Sequence, residues 1–353
     1  MRRIVDFAIT VYVVLLAAYW LLRGLFGDSF WWLSLMNTFA YVWFLPLLLL
    51  GPLALILRHK LAAWRLAPVI MLGGLWFAPY YLNAPVALPE GDTLHVVSAN
   101  VWGHNHDLRT VEDWLRGSAA DVVVLQEISP AYATDSLPHL RDIFPYQATQ
   151  IDDTRWGGNI TLSRYPIVEQ GYIELAASQP TYALRVVLDV EGERIAVYNV
   201  HLAWPGRDRA RVPLPGRLQN VYTQIVLGFD DAARNQQIAH LLSHLEQEPY
   251  PYIVAGDFNT SDQSATYRQI AAHMTDAYLE AGQGFSGSWP VSAARGLPGI
   301  VPPLIRIDYI WHSAGLRVVD AVIGPAIGSD HLPVQAALLI ETQKSRETES
   351  PGS

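Results

Sequence analysis

Cysteine is absent from all 353 residues, which excludes a disulfide framework, a thiolate metal site and a thiol nucleophile. An internal repeat, a heptad pattern and a serine nucleophile elbow are also missing. The soluble part of the chain must therefore be held by a conventional apolar core, for which about 260 residues is ample. Basic charge is the next scarcity. Lysine and arginine total 24 against 33 aspartates and glutamates; six of the basic and two of the acidic residues fall before residue 83, so the remainder carries 18 and 31, a net charge of −13. Such a segment repels polyanions on average, which counts against a non-specific nucleic-acid binder unless a local basic patch overrides the average.

Apolar residues, in contrast, make up 51% of the chain, and the excess sits in the first 82 positions. Stretches run from Ile4 to Leu22, Met36 to Leu57 and Leu66 to Leu82, the last two interrupted by Pro46, Pro52, Pro68 and Pro79. Each approaches the ~20 residues a helix needs to cross ~30 Å of hydrocarbon, and a cleaved signal peptide would explain one such stretch but not three. Trp20, Trp31, Trp32, Trp76, Tyr80 and Tyr81 stand near the segment ends, as interfacial rings do. Alternating helices put Arg2, Arg3, Arg58, Lys60 and Arg65 on one side and Arg23 on the other. The positive-inside rule then places the N-terminus in the cytoplasm and everything after Leu82 outside it. The expected plan is a multi-pass protein of the cell membrane: a membrane domain at 1–82 with three transmembrane helices, a linker at 83–92, an outer domain at 93–340 and a polar, disordered tail at 341–353.

The outer domain is organised around the run from Ile253 to Asp262, IVAGDFNTSD. Tyr252 to Ala255 reads as a buried strand and Gly256 as a turning point. Asp257 and Asn259, two apart in extended chain, then project to one side. The same device of an apolar strand ending in a polar group recurs along the chain. Leu94 to Ala99 ends at Asn100, Val122 to Leu125 at Gln126-Glu127, and Arg194 to Val200 at His201. Asn159 precedes Ile160 to Ser163, Asp308 lies in the strand Arg306 to Trp311, and Asp330-His331 precede the strand Pro333 to Ile340. Glu191-Gly192-Glu193 reads as a hairpin turn after Tyr182 to Val190. Helical spacing marks Leu108 to Leu115 with Asp107 as N-cap, Asp262 to His273, and Asp230 to Leu245. In the last of these, Ile238, Leu241, Leu242 and Leu245 share a face, with Arg234 and Gln237 placed elsewhere. Strands outnumber helices and several are joined by hairpins, so a mixed two-sheet α/β sandwich is favoured over a doubly wound sheet, with the polar groups on one rim.

Those groups are Asn100, Glu127, Asn159, His201, Asp257, Asn259, Asp308, Asp330 and His331. Oxygen ligands without thiolate suit a hard cation, Mg²⁺ or Mn²⁺, which keeps several waters and needs only one or two carboxylates; Glu127 is the best ligand candidate. A cation of this kind polarises a phosphoryl oxygen, a histidine stabilises or protonates, and an aspartate orients a water. Together they indicate metal-assisted phosphoester hydrolysis. Beside His201, Arg207, Arg209, Arg211 and Arg217 fall in a Pro- and Gly-rich loop, read either as a solvated loop or as a clamp on a phosphate or lipid headgroup.

Seven short motifs stand in order: Ser98-Ala99-Asn100, Val124 to Glu127, Gly158 to Arg164, Asn199 to Leu202, Gly256 to Asn259, Arg306 to Ile310 and Ser329-Asp330-His331. Each alone is weak, but in this order they resemble the endonuclease/exonuclease/phosphatase superfamily, the deoxyribonuclease I-like fold, over about residues 93 to 340. The resemblance implies an α/β (α+β) four-layered two-sheet sandwich. It implies that Glu127 is the principal metal ligand, with Asn100 beside it and Asp330 contributing to the metal or its water shell. Asp257 would orient or deprotonate the nucleophilic water, and Asn259 would hydrogen-bond the water or the phosphate. His331 would donate to a non-bridging oxygen, oriented by Asp308. Asn159, Arg207, Arg209 and Arg211 would meet substrate. His201 looks like the second histidine of the deoxyribonuclease and sphingomyelinase branches, where abasic-site repair nucleases usually have a tyrosine.

Three functions are compatible with this set. One is a membrane-anchored phosphoesterase acting outside the cytoplasm on a phospholipid, polyprenyl or other lipid-linked mono- or diester; its layout is similar to that of the teicoplanin-resistance membrane proteins. Another is an extracellular or surface nuclease, which needs a basic groove that only the arginine loop offers. The third, a catalytically inactive scaffold, is disfavoured by the complete set of acid, base and metal positions.

Overall fold

The computed structural model describes residues 1–82, 93–105, 107–151, 158–176, 181–206, 221–292, 294, 299 and 302–341. The expected linker, the arginines at 207, 209, 211 and 217, and the tail beyond Glu341 lie outside the described residues. Residues 1–82 form α1 (Arg2–Phe26), α2 (Trp31–Thr38), α3 (Pro46–Ile56) and α4 (Lys60–Phe77). Helix α1 and the segment Lys60–Tyr80 are each long and apolar enough to cross a membrane. The second apolar stretch is not the single helix expected. Its two parts, Trp31–Thr38 and Ala40–Ile56, meet at 70°, so it makes a third span only if the bent pair counts as one. Pro46 opens α3 where a continuous helix would need a backbone donor, and a 3₁₀ segment, Ala40–Phe44, fills the corner.

Helices α1, α3 and α4 pack through Val5, Ile9, Ala54, Ala62 and Leu66 at one end, and α1 meets α4 and the corner through Leu16, Tyr19, Phe44 and Val69 at the other. Yet Ile4, Phe7, Leu15, Leu48, Leu55, Trp64 and Met71 face outward. A bundle that is apolar outside as well as inside suits a lipid surround better than water. Arg65 pairs with Asp6 at 2.7 Å and His59 lies 3.8 Å from it. The α3–α4 connection, with Arg58 and Lys60, therefore sits beside the start of α1.

The rest of the chain begins with β1 (Leu94–Asn100), α5 (Leu108–Gly117), β2 (Val122–Ile128), α6 (Pro130–Asp135), β3 (Tyr146–Gln150) and β4 (Gly158–Ser163). It continues through β5 (Ile167–Ala176), β6 (Thr181–Val190), β7 (Glu193–His201), α7 (Val221–Gly228), α8 (Ala232–Leu245) and β8 (Tyr252–Asp257). It closes with α9 (Ala265–Ala271), β9 (Thr275–Asp276), α10 (Ala277–Ala281), β10 (Asp308–His312), β11 (Leu316–Ile323) and β12 (Val334–Ile340). Two six-stranded sheets result, ordered β11-β12-β1-β2-β4-β3 and β5-β6-β7-β8-β10-β9. Each is mixed: β1/β2 and β7/β8 are parallel and the other pairs antiparallel.

Alternation along the strands explains the layering. Val96, Val122 and Val124 point between the sheets to meet Val186, Val197, Ile253 and Ala255. Val97, Val123 and Leu125 point outward under α5 and α6, and Val187, Ala196 and Tyr198 outward under α8 and α9. Both faces of both sheets are covered, which is why the central strands read as unbroken apolar runs. The strands that the sequence does not single out, β3, β5, β9 and β11, are all edge strands, partly exposed and carrying polar residues.

Candidate active site

Strand β8 reaches the rim without the turn expected at Gly256, which stays inside the strand. Its φ is 148°, and a Cβ there would stand 1.9 Å from the Val200 carbonyl oxygen of β7, so only glycine lets these two strands close. Asp257 and His201 are thereby brought side by side as register partners. Asp308, at the start of β10, is the antiparallel partner of Asp257. From the first sheet come Asn100, ending β1, and Glu127, set on an irregularity between Leu125 and Ile128 and held at φ 57°. A non-glycine residue in the left-handed region has to be held there by its surroundings, and such residues cluster at functional sites. Ser329 ties in the remaining loop: its hydroxyl donates to the Asn100 carbonyl at 2.7 Å and accepts from the His331 amide at 3.0 Å.

Asn100 joins the two sheets. Its Nδ2 lies 3.0 Å from Glu127 Oε1 and 3.0 Å from Asp257 Oδ2, while its Oδ1 accepts from the Trp102 amide at 2.9 Å. Glu127 Oε2 accepts from the Gly103 amide at 2.8 Å. His201 Nε2 stands 3.7 Å from Asp257 and 3.9 Å from Glu127. On the other side of Asp257, His331 points Nδ1 at Asp308 at 2.9 Å and Nε2 at Asp257 at 3.8 Å. Asp330 accepts from the Trp289 indole at 3.2 Å and lies 4.0 Å from His331 Nε2. Asp257, Asp308, Asp330 and His331 are all buried.

Burial raises the Asp257 pKa to about 6, with His331 and His201 pulling down and Asp308 pushing up. For His331, burial works against the charged ring, but the carboxylates of Asp308 and Asp257 and the Asp308 hydrogen bond outweigh it and hold the pKa at about 10. At neutral pH the imidazole is a buried cation between carboxylates.

Among the described residues, two groups have donor atoms within 4.8 Å of one another: Glu127, His201 and Asp257, and Asp257, Asp308 and His331. In the second, Asp308 and His331 already satisfy each other. The first fits a hard cation, having two carboxylates and an amide between them with one nitrogen donor at the edge. For Asn100 to serve as a ligand its amide must turn over, bringing oxygen to face both carboxylates. Asp330 belongs to neither group.

Two other expected residues behave differently. Asn259 is not extended: its φ is 49°, its amide N–H bonds Asp257 Oδ1 at 2.8 Å, and its side chain donates to the Leu202 carbonyl at 2.9 Å. It braces the loop that bears Asp257, and its Oδ1 is the side-chain atom outside these bonds. Asn159 is buried in β4, with Nδ2 3.3 Å from Gln150 Oε1 and from the Tyr182 carbonyl, neither of them in the cluster.

Some residues given no catalytic role by the sequence prove structural to the site. Asn199 and Gln126 bridge the sheets, with Gln126 Nε2 to Asn199 Oδ1 at 2.8 Å. Arg234 and Gln237, placed off the apolar face of α8, are both buried. The Arg234 guanidinium donates to the Asn259 carbonyl, and Gln237 accepts from the Ala203 amide at 2.7 Å. Helical periodicity reports the apolar stripe alone and is blind to a buried polar contact with a loop.

The sequence pattern described as the endonuclease/exonuclease/phosphatase family matches residues 97–331, a span that takes in every residue of the cluster. No curated protein matches the chain. Among solved structures, a functionally unknown conserved protein from Enterococcus faecalis is 18% identical at a TM-score of 0.53, covering 70% of this chain and 100% of that one. An endonuclease/exonuclease/phosphatase family protein from Bacteroides thetaiotaomicron is 16% identical at 0.53, covering 71% and 99%. TDP2 from Caenorhabditis elegans is 15% identical at 0.54, covering 70% and 75%. At these identities what is shared is the fold.

Proposed function

We propose, from the premise that this chain belongs to the endonuclease/exonuclease/phosphatase family, that it is a membrane-anchored, metal-dependent phosphoesterase whose substrate is a lipid-linked phosphate. Residues 1–82 form its membrane domain and 93–340 its hydrolase domain, on the extracytoplasmic side. Glu127, with Asn100, would hold Mg²⁺ or Mn²⁺, which supplies charge neutralisation at the phosphoryl oxygen. Asp257 takes the proton of the attacking water, its raised pKa making it a base poised near neutral pH. His331, kept protonated by Asp308, donates to a non-bridging oxygen, and His201 faces the same space beside Glu127.

The observation that carries the lipid assignment is where the site sits. Leu35 and Phe39, from α2 and the corner after it, pack in one cluster with Trp204, Trp289 and Ile305. Trp204 lies three residues past His201, and Trp289 is the indole bonded to Asp330. At the same junction Phe26, Phe30, Trp31 and Trp32 are exposed, with Phe30 stacked on Trp32. Exposed rings at the end of a membrane helix favour the headgroup level, which supports a lipid phosphate as the substrate. The layout resembles that of the teicoplanin-resistance membrane proteins, and the net negative charge of the outer domain disfavours polynucleotides.

The test is hydrolysis by the detergent-solubilised full-length protein, with Mg²⁺ or Mn²⁺ and with EDTA. The panel spans phospholipids, polyprenyl diphosphate, inositol phosphates and single- and double-stranded DNA. EDTA-sensitive release from lipid substrates is expected; cleavage of DNA alone would overturn the lipid assignment in favour of a nuclease. Sidedness has its own test, made simple by the absence of cysteine. In intact cells an impermeant maleimide should label Glu341→Cys and leave Arg58→Cys unlabelled, and the reverse pattern would invert the topology.

A further inference from the structure

The loop between β8 and α9 is built in an unusual way. Five of its residues, Thr260, Ser261, Asp262, Gln263 and Ser264, are polar, and all five are buried. In a free-standing hydrolase such a loop would be hydrated. Here several of its partners come from the helices at the start of the chain. Tyr41 donates to both carboxylate oxygens of Asp262 at 2.7 Å, and Tyr80 adds a third bond at 2.6 Å. Gln263 reaches the Tyr41 hydroxyl at 2.7 Å, and Arg23 donates to the Gln263 carbonyl at 2.7 Å. Asp28 accepts from the Ala265 amide where α9 begins.

A second line reaches the same loop nearer the catalytic residue. Ser34 of α2 donates to Asp231 at 2.7 Å, Asp231 lies 3.5 Å from Arg234, and the Arg234 guanidinium donates to the Asn259 carbonyl. Asn259 is in the left-handed region and its amide bonds Asp257. The helices thus hold the loop at two points, one two residues past Asp257 and one five residues past it. Anchoring alone explains neither. A tether needs a linker, and the linker makes no demand on which hydroxyl faces which carboxylate.

We propose that the membrane helices are part of the catalytic scaffold: Ser34, Tyr41 and Tyr80 are positioning residues that fix the 257–264 loop and, through it, the place of Asp257. The consequence for catalysis rests on the phosphoesterase reading; the consequence for the loop does not. A displacement of about 1 Å in a catalytic group costs up to ~10² in rate, so helices that shift relative to the outer domain would change turnover without touching substrate.

The experiment uses full-length protein in detergent micelles, bis(4-nitrophenyl) phosphate as a soluble diester so that lipid presentation plays no part, and hydrogen exchange of the same samples. In the Tyr41→Phe/Tyr80→Phe double variant, which keeps both rings, kcat should fall at least ~10-fold with KM within about twofold. Exchange at 257–264 should quicken while β1 and β2 stay protected. Ser34→Ala should show the same signature in smaller measure, and Ser34→Thr, which restores a hydroxyl, should return both values toward wild type. Loop exchange as slow as in the wild type in both the double variant and Ser34→Ala would overturn the proposal. Should the double variant also lose protection in β1 and β2, Ser34→Ala decides by the same readouts. A wild-type protein inactive on every phosphoester would remove the phosphoesterase reading, and exchange would still show whether the helices hold the loop.

Discussion

The two sheets bring unlike halves to one rim. From the first come Asn100 and Glu127, where the carboxylate is fixed by neutral donors, an amide side chain at 3.0 Å and a backbone N–H at 2.8 Å. From the second come His201, Asp257 and Asp308, joined by His331 from the loop before β12. Charge there is dense and dry: burial lifts the Asp257 pKa to about 6, and against that same burial the carboxylates of Asp308 and Asp257 hold the His331 pKa at about 10. A carboxylate held by neutral donors keeps a geometry, as a ligand must; carboxylates and imidazoles buried together trade protons. On the proposed reading Glu127 and Asn100 of the first half anchor a cation that Asp257 and His201 also face, and proton movement falls to the second half, with Asn100 the hinge between them.

Breaking the second half should cost most. Asp257→Asn keeps the shape but removes the base, and turnover should fall by at least ~10² with the unfolding transition unchanged. Raising the Mg²⁺ concentration should restore nothing. Glu127→Gln should fall by a similar or smaller factor, ~10², but part of the loss should return as metal is increased, because the variant weakens a ligand and leaves the base in place. If metal rescues Asp257→Asn as well as it rescues Glu127→Gln, the division between the halves collapses.

Asp308→Asn sharpens the contrast through pH and should cost less at neutral pH. In the wild type, kcat/KM should rise as Asp257 loses its proton, near pH 6 before any cation is bound and lower with one, since a cation favours the carboxylate. It should fall again as His331 loses its proton near pH 10. The Asp308 charge favours the imidazolium, so removing it lets the proton leave earlier, and the alkaline limb should move down by about 1–3 units. An alkaline limb that stays in place would mean that some other group sets it.

Much of this rim was legible because its residues are delivered locally. Asn100, Glu127, His201 and Asp257 each close an apolar run, and a run that stops in a polar group is visible without knowledge of the fold. Asn259 was placed correctly in the chain but wrongly in conformation, since the bend at φ 49° is imposed by Arg234 and Leu202, which periodicity does not connect to it. Asp262 read as the start of a helix, whereas α9 begins at Ala265. What buries Asp262 is Tyr41 and Tyr80, about two hundred residues earlier, and no window of sequence contains both. The 70° corner after α2 was hidden for another reason. Hydropathy counts apolar residues and does not ask whether the chain through them is straight, although Pro46 was there to be weighed.

The smallest effect should come from the seam between the halves. Asn199, on β7 of the second sheet, reaches across to the first: its Nδ2 donates to the Leu125 carbonyl at 3.0 Å and the Ile160 carbonyl at 2.9 Å, and its Oδ1 accepts from Gln126. Leu125 and Ile160 are the last paired residues before the β2–β4 ladder slips, so the amide stands at the point where the ladder opens and turns Glu127 onto the rim. Asn199→Ala would leave these groups buried without it, at about 1–3 kcal/mol for an unsatisfied partner and less than additively for the set. A loss of about 2–4 kcal/mol in unfolding free energy is expected by denaturant titration, with apparent Mg²⁺ affinity reduced more than the turnover at saturating metal. Unchanged metal affinity alongside that loss of stability would mean that Asn199 holds the sheets together without setting the place of Glu127.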